Sequence, residues 1–391
     1  MIERDITHKL EQLSGQYPVI TLTGPRQSGK STLIQAVFPH LPYILLEDPD
    51  VRELAQTDPR GFLANYANGA VFDEVQRVPD LFSYLQGIVD RQTANQPYIL
   101  TGSQNFLLLD HISQSLAGRT AVLRLLPLSY PERRASGLLP ATIDELLFQG
   151  SYPRLVVNQL DPADFFSAYI QTYIERDVRS IKNITDLSTF TRFMRLCAGR
   201  IGSPLNLSSL AVDCGVAVNT IKAWLSILEA SYVIYLLPPY YENFSKRLIK
   251  SPKLFFHDTG LVCSLLGLRR ADLIESFYMR GNLFENFVVS EVLKHYYNRG
   301  QQASCYYWQD KTGREIDLLI EAGNGLLPIE IKVGMTLNRD YFDNLSYWNK
   351  LSGNSPSNSY VVYGGSLRQS TSSGTFVPLT DLNTLLLNGR V

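Results

Sequence analysis

The first third of the chain alternates short apolar runs with amphipathic segments, a pattern typical of a parallel sheet covered by helices. Runs rich in β-branched and aromatic residues predict five strands, at 19–23, 43–46, 70–72, 98–100 and 121–126. Helical spacing of apolar residues predicts helices that start at Lys30 and that cover 52–66 and 81–92. We therefore expect an α/β core over residues 1–135.

The middle of the chain loses the strand pattern. Helical spacing at 165–178 and 187–196 predicts a helical lid or connector over residues 136–200. From residue 201 to 270 the pattern predicts a helix at 207–213, a turn at Gly215, a helix at 218–230 and two strands at 232–237 and 253–257. Helix, turn, helix and a two-stranded wing is the order of a winged-helix domain.

The last segment, residues 271–391, returns to mixed α/β patterning. It predicts, in order, a long helix, three strands, a helix and a strand, at 282–297, 303–308, 315–321, 326–333, 337–351 and 359–363. The Ser-rich stretch 366–374 is expected to be a mobile loop.

Composition limits the class of protein. With 391 residues, 45% hydrophobic and 19% charged, the chain has ordinary globular composition and room for several cores. No apolar run reaches the ~20 residues needed to cross a bilayer, and no signal peptide is recognisable, so we expect no membrane contact. The four cysteines form no CxxC pair, which disfavours a zinc site or disulfide framework and favours a reducing cytoplasm.

The charge distribution is uneven. The net charge is −1, yet residues 190–270 carry ten Lys/Arg and four Asp/Glu, a local excess of +6. Four basic residues lie in or beside the predicted wing: Lys246, Arg247, Lys250 and Lys253. Such a cluster predicts contact with DNA phosphates. Few side chains suited to reading bases lie on helix 218–230, so protein packing stays open as the alternative role of this domain.

The strongest motif is Gly-Pro-Arg-Gln-Ser-Gly-Lys-Ser between the first strand and the helix that follows it. It matches the phosphate-loop pattern GxxxxGK[ST], whose backbone amides and helix N-terminus surround phosphate oxygens. Lys30 is predicted to contact the β- and γ-phosphates of ATP, and Ser31 to ligate Mg²⁺. The predicted nucleotide-binding residues are Gly24, Pro25, Arg26, Gln27, Ser28, Gly29, Lys30, Ser31 and Thr32.

Four further residues fit the same site, one of them with an alternative. Asp73 and Glu74 end the third strand, where an aspartate organises Mg²⁺ and a glutamate polarises the attacking water. Ser103, with Thr101 as second choice, follows the fourth strand and is the candidate γ-phosphate sensor. Arg119 is a candidate arginine finger that reaches a neighbour's nucleotide, which would require a homo-oligomer.

A second constellation lies in the last segment. Glu285 is on the long helix, Asp317 on the second strand, and Glu330 and Lys332 on the third, where positions i and i+2 share a face. Asp317 and Glu330 could bind a second Mg²⁺ or Mn²⁺. Lys332 would then stabilise charge on a scissile phosphate. The simpler interpretation is a salt bridge on an amphipathic strand.

Taken together, these motifs resemble the prokaryotic AAA-superfamily ATPase domain that is followed by a C-terminal domain of unknown function. Segments 24–31, 71–74, 100–104, 116–119 and 124–131 carry the first resemblance; 150–153, 173–178, 284–286, 315–318 and 329–332 carry the second. The last segment resembles the PD-(D/E)xK nuclease superfamily, whose helix acid, metal acid, second acid and lysine fall on Glu285, Asp317, Glu330 and Lys332. The resemblance implies ATPase activity, and the nuclease superfamily includes inactive members.

The expected fold is thus an α/β multidomain chain: a P-loop NTPase with an AAA-type parallel sheet, a winged helix and a nuclease-like α/β domain. The first functional hypothesis is an Mg²⁺-dependent ATPase coupled to DNA binding or processing. The alternative is a nucleotide-gated protein-interaction module with an inactive nuclease-like domain. A third hypothesis is a small-molecule kinase built on the same phosphate loop.

Overall fold

The structure is a computed structural model that describes residues 2–91, 97–102, 115–173, 187–241, 249–323 and 325–388. Every structural statement below refers to these residues. Ser103, Lys246 and Arg247, which the sequence analysis singled out, lie outside them.

The N-terminal part is a five-stranded parallel sheet with the strand order β2-β3-β4-β1-β5. Its strands are Val19–Thr23 (β1), Tyr43–Leu45 (β2), Ala70–Asp73 (β3), Tyr98–Thr101 (β4) and Thr120–Arg124 (β5). The helices around it are Thr7–Ser14 (α1), Lys30–Val37 (α2), Pro49–Thr57 (α3), Pro59–Ala64 (α4) and Leu81–Val89 (α5), with a 3₁₀ turn at Val75–Arg77. The predicted parallel α/β core is confirmed.

Both faces of this sheet are buried. On β3, Phe72 packs into one hydrophobic cluster and Val71 into another; on β4, Leu100 and Ile99 divide in the same way. Side chains alternate between the faces of a strand, so apolar residues at successive positions require helices on both sides.

The structure has two helices where the sequence predicted one. The helix expected over 52–66 stops at Thr57, and a new helix begins at Pro59. Proline has no N–H to continue the first helix. The Asp58 side chain instead accepts a hydrogen bond from the Gly61 amide at 2.9 Å and caps the second helix.

The middle of the chain is mainly helical. Its helices are Tyr130–Ala135 (α6), Ile143–Gln149 (α7), Pro153–Val157 (α8), Pro162–Tyr173 (α9), Leu187–Ala198 (α10), Leu207–Cys214 (α11) and Val218–Ala230 (α12). The strands Ile234–Leu237 (β6) and Lys253–Phe256 (β7) then pair antiparallel. Helices α11 and α12 meet at a bend of 101°. Within the described ranges no single helix is long and apolar enough to span a bilayer; α11 and α12 meet that criterion only as a bent pair.

The C-terminal part contains a six-stranded mixed sheet with the order β12-β13-β11-β10-β9-β8. Its strands are Cys305–Gln309 (β8), Glu315–Ala322 (β9), Gly325–Lys332 (β10), Tyr360–Tyr363 (β11), Gln369–Thr371 (β12) and Gly374–Pro378 (β13). The helices are Thr259–Leu265 (α13), Asp272–Glu275 (α14), Arg280–Tyr297 (α15), Asp343–Ser352 (α16) and Leu382–Asn388 (α17), with 3₁₀ turns at Arg339–Phe342, Pro356–Asn358 and Leu379–Asp381.

The loop expected over the Ser-rich stretch 366–374 is only partly correct. Residues 366–368 and the turn at 372–373 lie outside strands, whereas Gln369–Thr371 forms β12 and pairs antiparallel with β13, where Gln369 lies opposite Phe376. Strand β13 then pairs parallel to β11, and Phe376 and Val377 are buried. Serines and threonines fit the exposed edge strand β12, whose residues all face solvent.

The β6–β7 hairpin is fixed to the C-terminal sheet. The Tyr240 amide donates to the Tyr307 carbonyl on β8 at 2.7 Å, the Tyr307 amide donates to Pro238 at 3.1 Å, and the Ile249 amide donates to Gln309 at 3.1 Å. One hydrophobic cluster runs from Leu126 to Leu386. The middle and C-terminal parts therefore share a core, and the four-domain division stays a prediction.

Candidate functional site

The phosphate loop joins β1 to α2 in a conformation that its glycines permit. Gly24 and Gly29 have φ values of +151° and +93°, and Gln27 has +61°. A Cβ at Gly24 would lie 2.1 Å from the Leu125 carbonyl oxygen, so no other residue fits there. The loop therefore curls tightly at the carboxyl end of β1, in front of the N-terminus of α2.

The loop lysine lies across this turn. Lys30 is 7% exposed, and its Nζ donates to the carbonyl oxygens of Gly24 and Pro25, both at 2.9 Å. The ammonium is thus held beside the concave loop where phosphates bind in proteins with this motif.

Asp73 accepts hydrogen bonds from the phosphate loop and from the two strands that flank β3. Its Oδ2 accepts from Ser31 Oγ at 2.6 Å and from the Tyr43 hydroxyl. Its Oδ1 accepts from the Glu74 amide at 3.0 Å and from Thr101 Oγ1. Burial, followed by the hydrogen bond to Asp73, raises the pKa of Tyr43, which keeps that hydroxyl a donor.

This donor set fits a magnesium ion. A serine hydroxyl and an aspartate carboxylate in contact are hard oxygen ligands of the kind that Mg²⁺ prefers. Sequence reasoning named Ser31 and Asp73 but missed Tyr43, and it ranked Thr101 second. Tyr43 and Thr101 could have been found from their positions. Tyr43 begins β2 and Thr101 ends β4, and these two strands flank β3, which ends in Asp73.

The predicted catalytic glutamate follows directly. Glu74 has a left-handed backbone, with φ +56° and ψ +39°, and its Oε2 accepts a hydrogen bond from the side-chain Nε2 of Gln76. Asp73, at the end of the extended strand, accepts a hydrogen bond from Ser31, whereas the carboxylate of Glu74 accepts one from Gln76.

Arg119 lies at the other end of the sheet. It precedes β5, whose first residue pairs with Val19 of β1, whereas the phosphate loop follows Thr23. The separation along the strands is roughly 15 Å. Arg119 donates to the exposed Asp90 through Nε and Nη2, at 2.5 and 2.9 Å. A finger role for Arg119 could therefore act only on a neighbouring chain's nucleotide.

The loop is supported by a residue that sequence reasoning missed. Arg4 is 6% exposed and donates to the Ser28 carbonyl at 2.9 Å, to the Leu126 carbonyl at 2.7 Å and to Glu132 Oε1 at 3.0 Å. It therefore ties the phosphate loop to the segment that leaves the sheet after β5. No local motif marks Arg4, because its partners lie 24 to 128 positions away.

A second polar cluster forms where the middle and C-terminal parts meet. Glu285, Glu315 and Asp317 each offer a carboxylate oxygen within 4.8 Å of the others. Two of them were predicted, whereas Glu315 was missed although it lies two positions before Asp317 on the same face of β9. Glu330 is not a member of this three-carboxylate group.

Lys253 occupies the middle of this cluster. Its Nζ is 3.0 Å from Glu285 Oε1 and also contacts Glu315 Oε1, and the residue has 0% exposure. The expectation that Lys253 contacts DNA phosphates is wrong for this arrangement, because the side chain is buried in an acidic cluster. Burial alone would lower the pKa of Lys253, but the surrounding carboxylates outweigh it and raise that pKa.

The predicted lysine, Lys332, forms ion pairs with Asp317 and Glu330. Lys332 Nζ is 2.7 Å from Glu330 Oε1 and 3.5 Å from Asp317 Oδ2, and Asp317 Oδ2 also accepts from the Ile331 amide at 2.7 Å. Glu330 Oε2 has no hydrogen-bond partner among the described residues. Burial, and then the charge of Asp317, raise the pKa of Glu330, which favours its protonated form.

The residues of this second cluster therefore do not fit a resident divalent ion. A cationic side chain already contacts Glu285 and Glu315, and another contacts Asp317 and Glu330. Carboxylates that lack a metal must be neutralised by protons or by ammonium groups. Here two ammonium groups contact the four carboxylates, and burial raises the pKa of Glu285 and that of Glu330, which favours a proton on each.

Family models divide the chain into three matched regions. Residues 16–133 match a model described as an AAA domain, 141–272 match domain of unknown function DUF8612, and 280–382 match domain of unknown function DUF4143. The first region contains the phosphate loop and Asp73, and the third contains the acidic cluster apart from Lys253. The sheet order and the phosphate loop agree with the AAA assignment.

Among solved structures, the Walker-type ATPase PABY2304 of Pyrococcus abyssi has 17% sequence identity to the chain and a TM-score of 0.47. The match covers 68% of this chain and 96% of that one.

Curated relatives are themselves uncharacterized. An uncharacterized protein of Haemophilus influenzae is 23% identical over 70% of this chain and 68% of its own length. Uncharacterized protein Rv2008c of Mycobacterium tuberculosis is 31% identical over 334 residues, which cover 84% of this chain and 73% of the relative. The chain therefore belongs to the family of Rv2008c, and its N-terminal region is an AAA-type P-loop ATPase domain.

Proposed function

We propose that the chain is a Mg²⁺-dependent ATP hydrolase. The observation that carries the proposal is the contact between Ser31 of the phosphate loop and Asp73 of the neighbouring strand, at 2.6 Å. These two side chains would hold Mg²⁺, which would offset the charge of the β- and γ-phosphates.

The residues of the chain have separate tasks in this proposal. Loop amides and the N-terminus of α2 bind the phosphates. Lys30, which now donates to the Gly24 and Pro25 carbonyls, exchanges these partners for phosphate oxygens. Glu74 orients and polarises the attacking water, and Tyr43 with Thr101 fixes the orientation of Asp73.

The test separates binding from turnover. Lys30→Ala should lose most ATP binding, measured with a fluorescent ATP analogue. Glu74→Gln should bind ATP like the wild type but release inorganic phosphate far more slowly, because its phosphate contacts are intact. Phosphate release without any added acceptor would disfavour the small-molecule kinase hypothesis.

We further propose that the ATPase domain is coupled to duplex DNA through helices α11 and α12. Their bend of 101° and the exposed Asn219 and Lys222 on α12 support this assignment. The buried position of Lys253 and the attachment of the β6–β7 hairpin to β8 weaken it, because that hairpin is not free to act as a wing. The competing hypothesis is a nucleotide-gated module that recruits a protein. Fluorescence anisotropy with a labelled duplex at low salt distinguishes the two.

Cleavage by the nuclease-like part is the least supported element of the sequence-based hypothesis. A second Mg²⁺ or Mn²⁺ at Asp317 and Glu330 would have to compete with Lys332, which contacts both. The ammonium contacts support an inactive nuclease-like domain, as in the competing hypothesis. The cytoplasmic location and a homo-oligomer stay predictions.

A further inference from the structure

Lys253 and its carboxylate partners come from different parts of the chain. Lys253 begins β7 in the middle part, Glu285 lies on α15, and Glu315 and Asp317 lie on β9. The lysine side chain is fully buried, and its ammonium is also 5.3 Å from the centre of the Tyr307 ring. These contacts place one ammonium group between two of the three carboxylates, and Lys332 contacts the third, Asp317, at 3.5 Å.

The surroundings leave Lys253 little freedom. The backbone at Pro204 bridges to Lys253, and Tyr307, on which the ammonium rests, is hydrogen-bonded to Pro238. A Cβ at Gly202 would lie 2.8 Å from Glu285 Oε2, so the chain from the middle part closes over the helix acid. The lysine is thus positioned by backbone contacts as well as by its ion pairs.

We propose that the Lys253 ammonium is the resident cation of the Glu285–Glu315–Asp317 cluster, and that it takes the place of a divalent metal ion there. The consequence is that the wild-type chain does not bind a divalent ion at these three carboxylates. Removal of the ammonium, with the carboxylates kept, converts the cluster into a divalent-metal site. The carboxylates would then be close enough to share one ion, since their oxygens already lie within 4.8 Å of one another.

The experiment uses the full chain, free of nucleotide, with Mn²⁺ as the probe. Binding is followed by loss of the free Mn²⁺ electron paramagnetic resonance signal. Lys253→Met should bind one Mn²⁺ at least tenfold more tightly than the wild type, and the double variant Lys253→Met, Asp317→Asn should lose that binding. Lys250→Met is the matched control: residue 250 lies three positions away and is exposed, so this variant should bind Mn²⁺ as the wild type does.

A second readout does not depend on the variant's being stable without metal. Mn²⁺ should raise the melting temperature of Lys253→Met by more than that of the wild type, in which the Ser31–Asp73 site alone is expected to bind Mn²⁺, or should restore the folding of the variant. If Lys253→Met folds neither with nor without Mn²⁺, the proposal is tested by Mn²⁺ binding to the wild type. Mn²⁺ binding by the wild type that disappears in Glu315→Gln would overturn the proposal, and its absence would support it. Equal Mn²⁺ affinities of the wild type and a folded Lys253→Met would also overturn it.

Discussion

Ser31 Oγ donates a hydrogen bond of 2.6 Å to Asp73 Oδ2, although the two residues lie 42 positions apart. The contact exists because β3, which ends in Asp73, and β1, which leads into the phosphate loop, have their carboxyl ends at the same edge of the sheet, separated only by β4. In such sheets, ligands bind beyond the carboxyl ends of the strands. The contact thus joins the two motifs that a magnesium–nucleotide site requires.

Removal of the Tyr43 hydroxyl should weaken magnesium binding without disturbing the fold. Tyr43 donates to the same oxygen of Asp73 that Ser31 contacts. Loss of such an outer partner typically weakens metal binding about tenfold or more. We therefore expect Tyr43→Phe to raise the Mg²⁺ concentration needed for half-maximal ATP turnover by about tenfold. Tyr66→Phe is the control, because Tyr66 packs edge-on against Phe72 and does not contact Asp73. An unchanged Mg²⁺ requirement in Tyr43→Phe would contradict this role.

Arg4 should contribute strongly to stability. Its guanidinium pairs with a glutamate whose side chain is fully buried, and it satisfies two carbonyls, one of them in the phosphate loop. Removal of one member of a buried ion pair typically costs about 3–5 kcal/mol. Arg4→Met should lower the free energy of unfolding by that amount in urea titrations. Arg270→Met, which breaks an exposed pair with Asp272, should change it by less than about 1 kcal/mol. Similar effects of the two substitutions would count against an anchoring role for Arg4.

Arg119 tests whether the ATPase acts as an oligomer. Because it lies at the far end of the sheet from its own phosphate loop, a catalytic role requires a neighbouring chain. Arg119→Ala should bind ATP normally and lose at least about 10³-fold in turnover if it acts as a finger. Specific activity of the wild type should then rise with protein concentration. Asp90→Asn, which removes only the exposed partner, is the control. Full activity in Arg119→Ala would contradict the finger role and would indicate that Arg119 only forms a surface ion pair with Asp90.

Binding of duplex DNA should depend steeply on salt. Lys246, Arg247 and Lys250 are the basic residues between β6 and β7 in the sequence, and Lys253 is excluded because it is buried. Replacement of all three by alanine should reduce the slope of log affinity against log salt by about one unit per lost phosphate contact. Lys222→Ala on α12 measures the contribution of the helix separately. No duplex binding at low salt would favour the protein-recruitment hypothesis.

The first sheet was predictable because its signals are local. The β1 strand at Val19–Thr23 and the helix Val218–Ala230 have the predicted bounds, since apolar periodicity and turn residues mark both ends. The break between Thr57 and Pro59 was missed although proline marks it. The hairpin of β12 and β13 could not be inferred, because polar residues at an exposed sheet edge have no apolar alternation.

The site residues divide in the same way: those within motifs could be predicted from the sequence, and those with distant partners could not. Ser31 and Asp73 belong to motifs, and a motif predicts its neighbours along the chain. Lys253, Glu315 and Arg4 owe their positions to partners from distant elements, and a lysine buried among carboxylates has the same local sequence as an exposed one. The tertiary fold, not the local sequence pattern, determines whether a basic side chain is exposed to DNA or forms a buried ion pair with a glutamate.

Phosphate release from ATP in the presence of Mg²⁺ decides whether the chain is an ATP hydrolase, when the wild type and Glu74→Gln are measured side by side and ATP binding is measured on the same samples. We expect turnover by the wild type, binding equal to the wild type in Glu74→Gln, and turnover in that variant lower by at least about 10²-fold. Lys30→Ala should lose most of the binding. Wild-type turnover in Glu74→Gln, or an absence of ATP binding by the wild type, would refute this function.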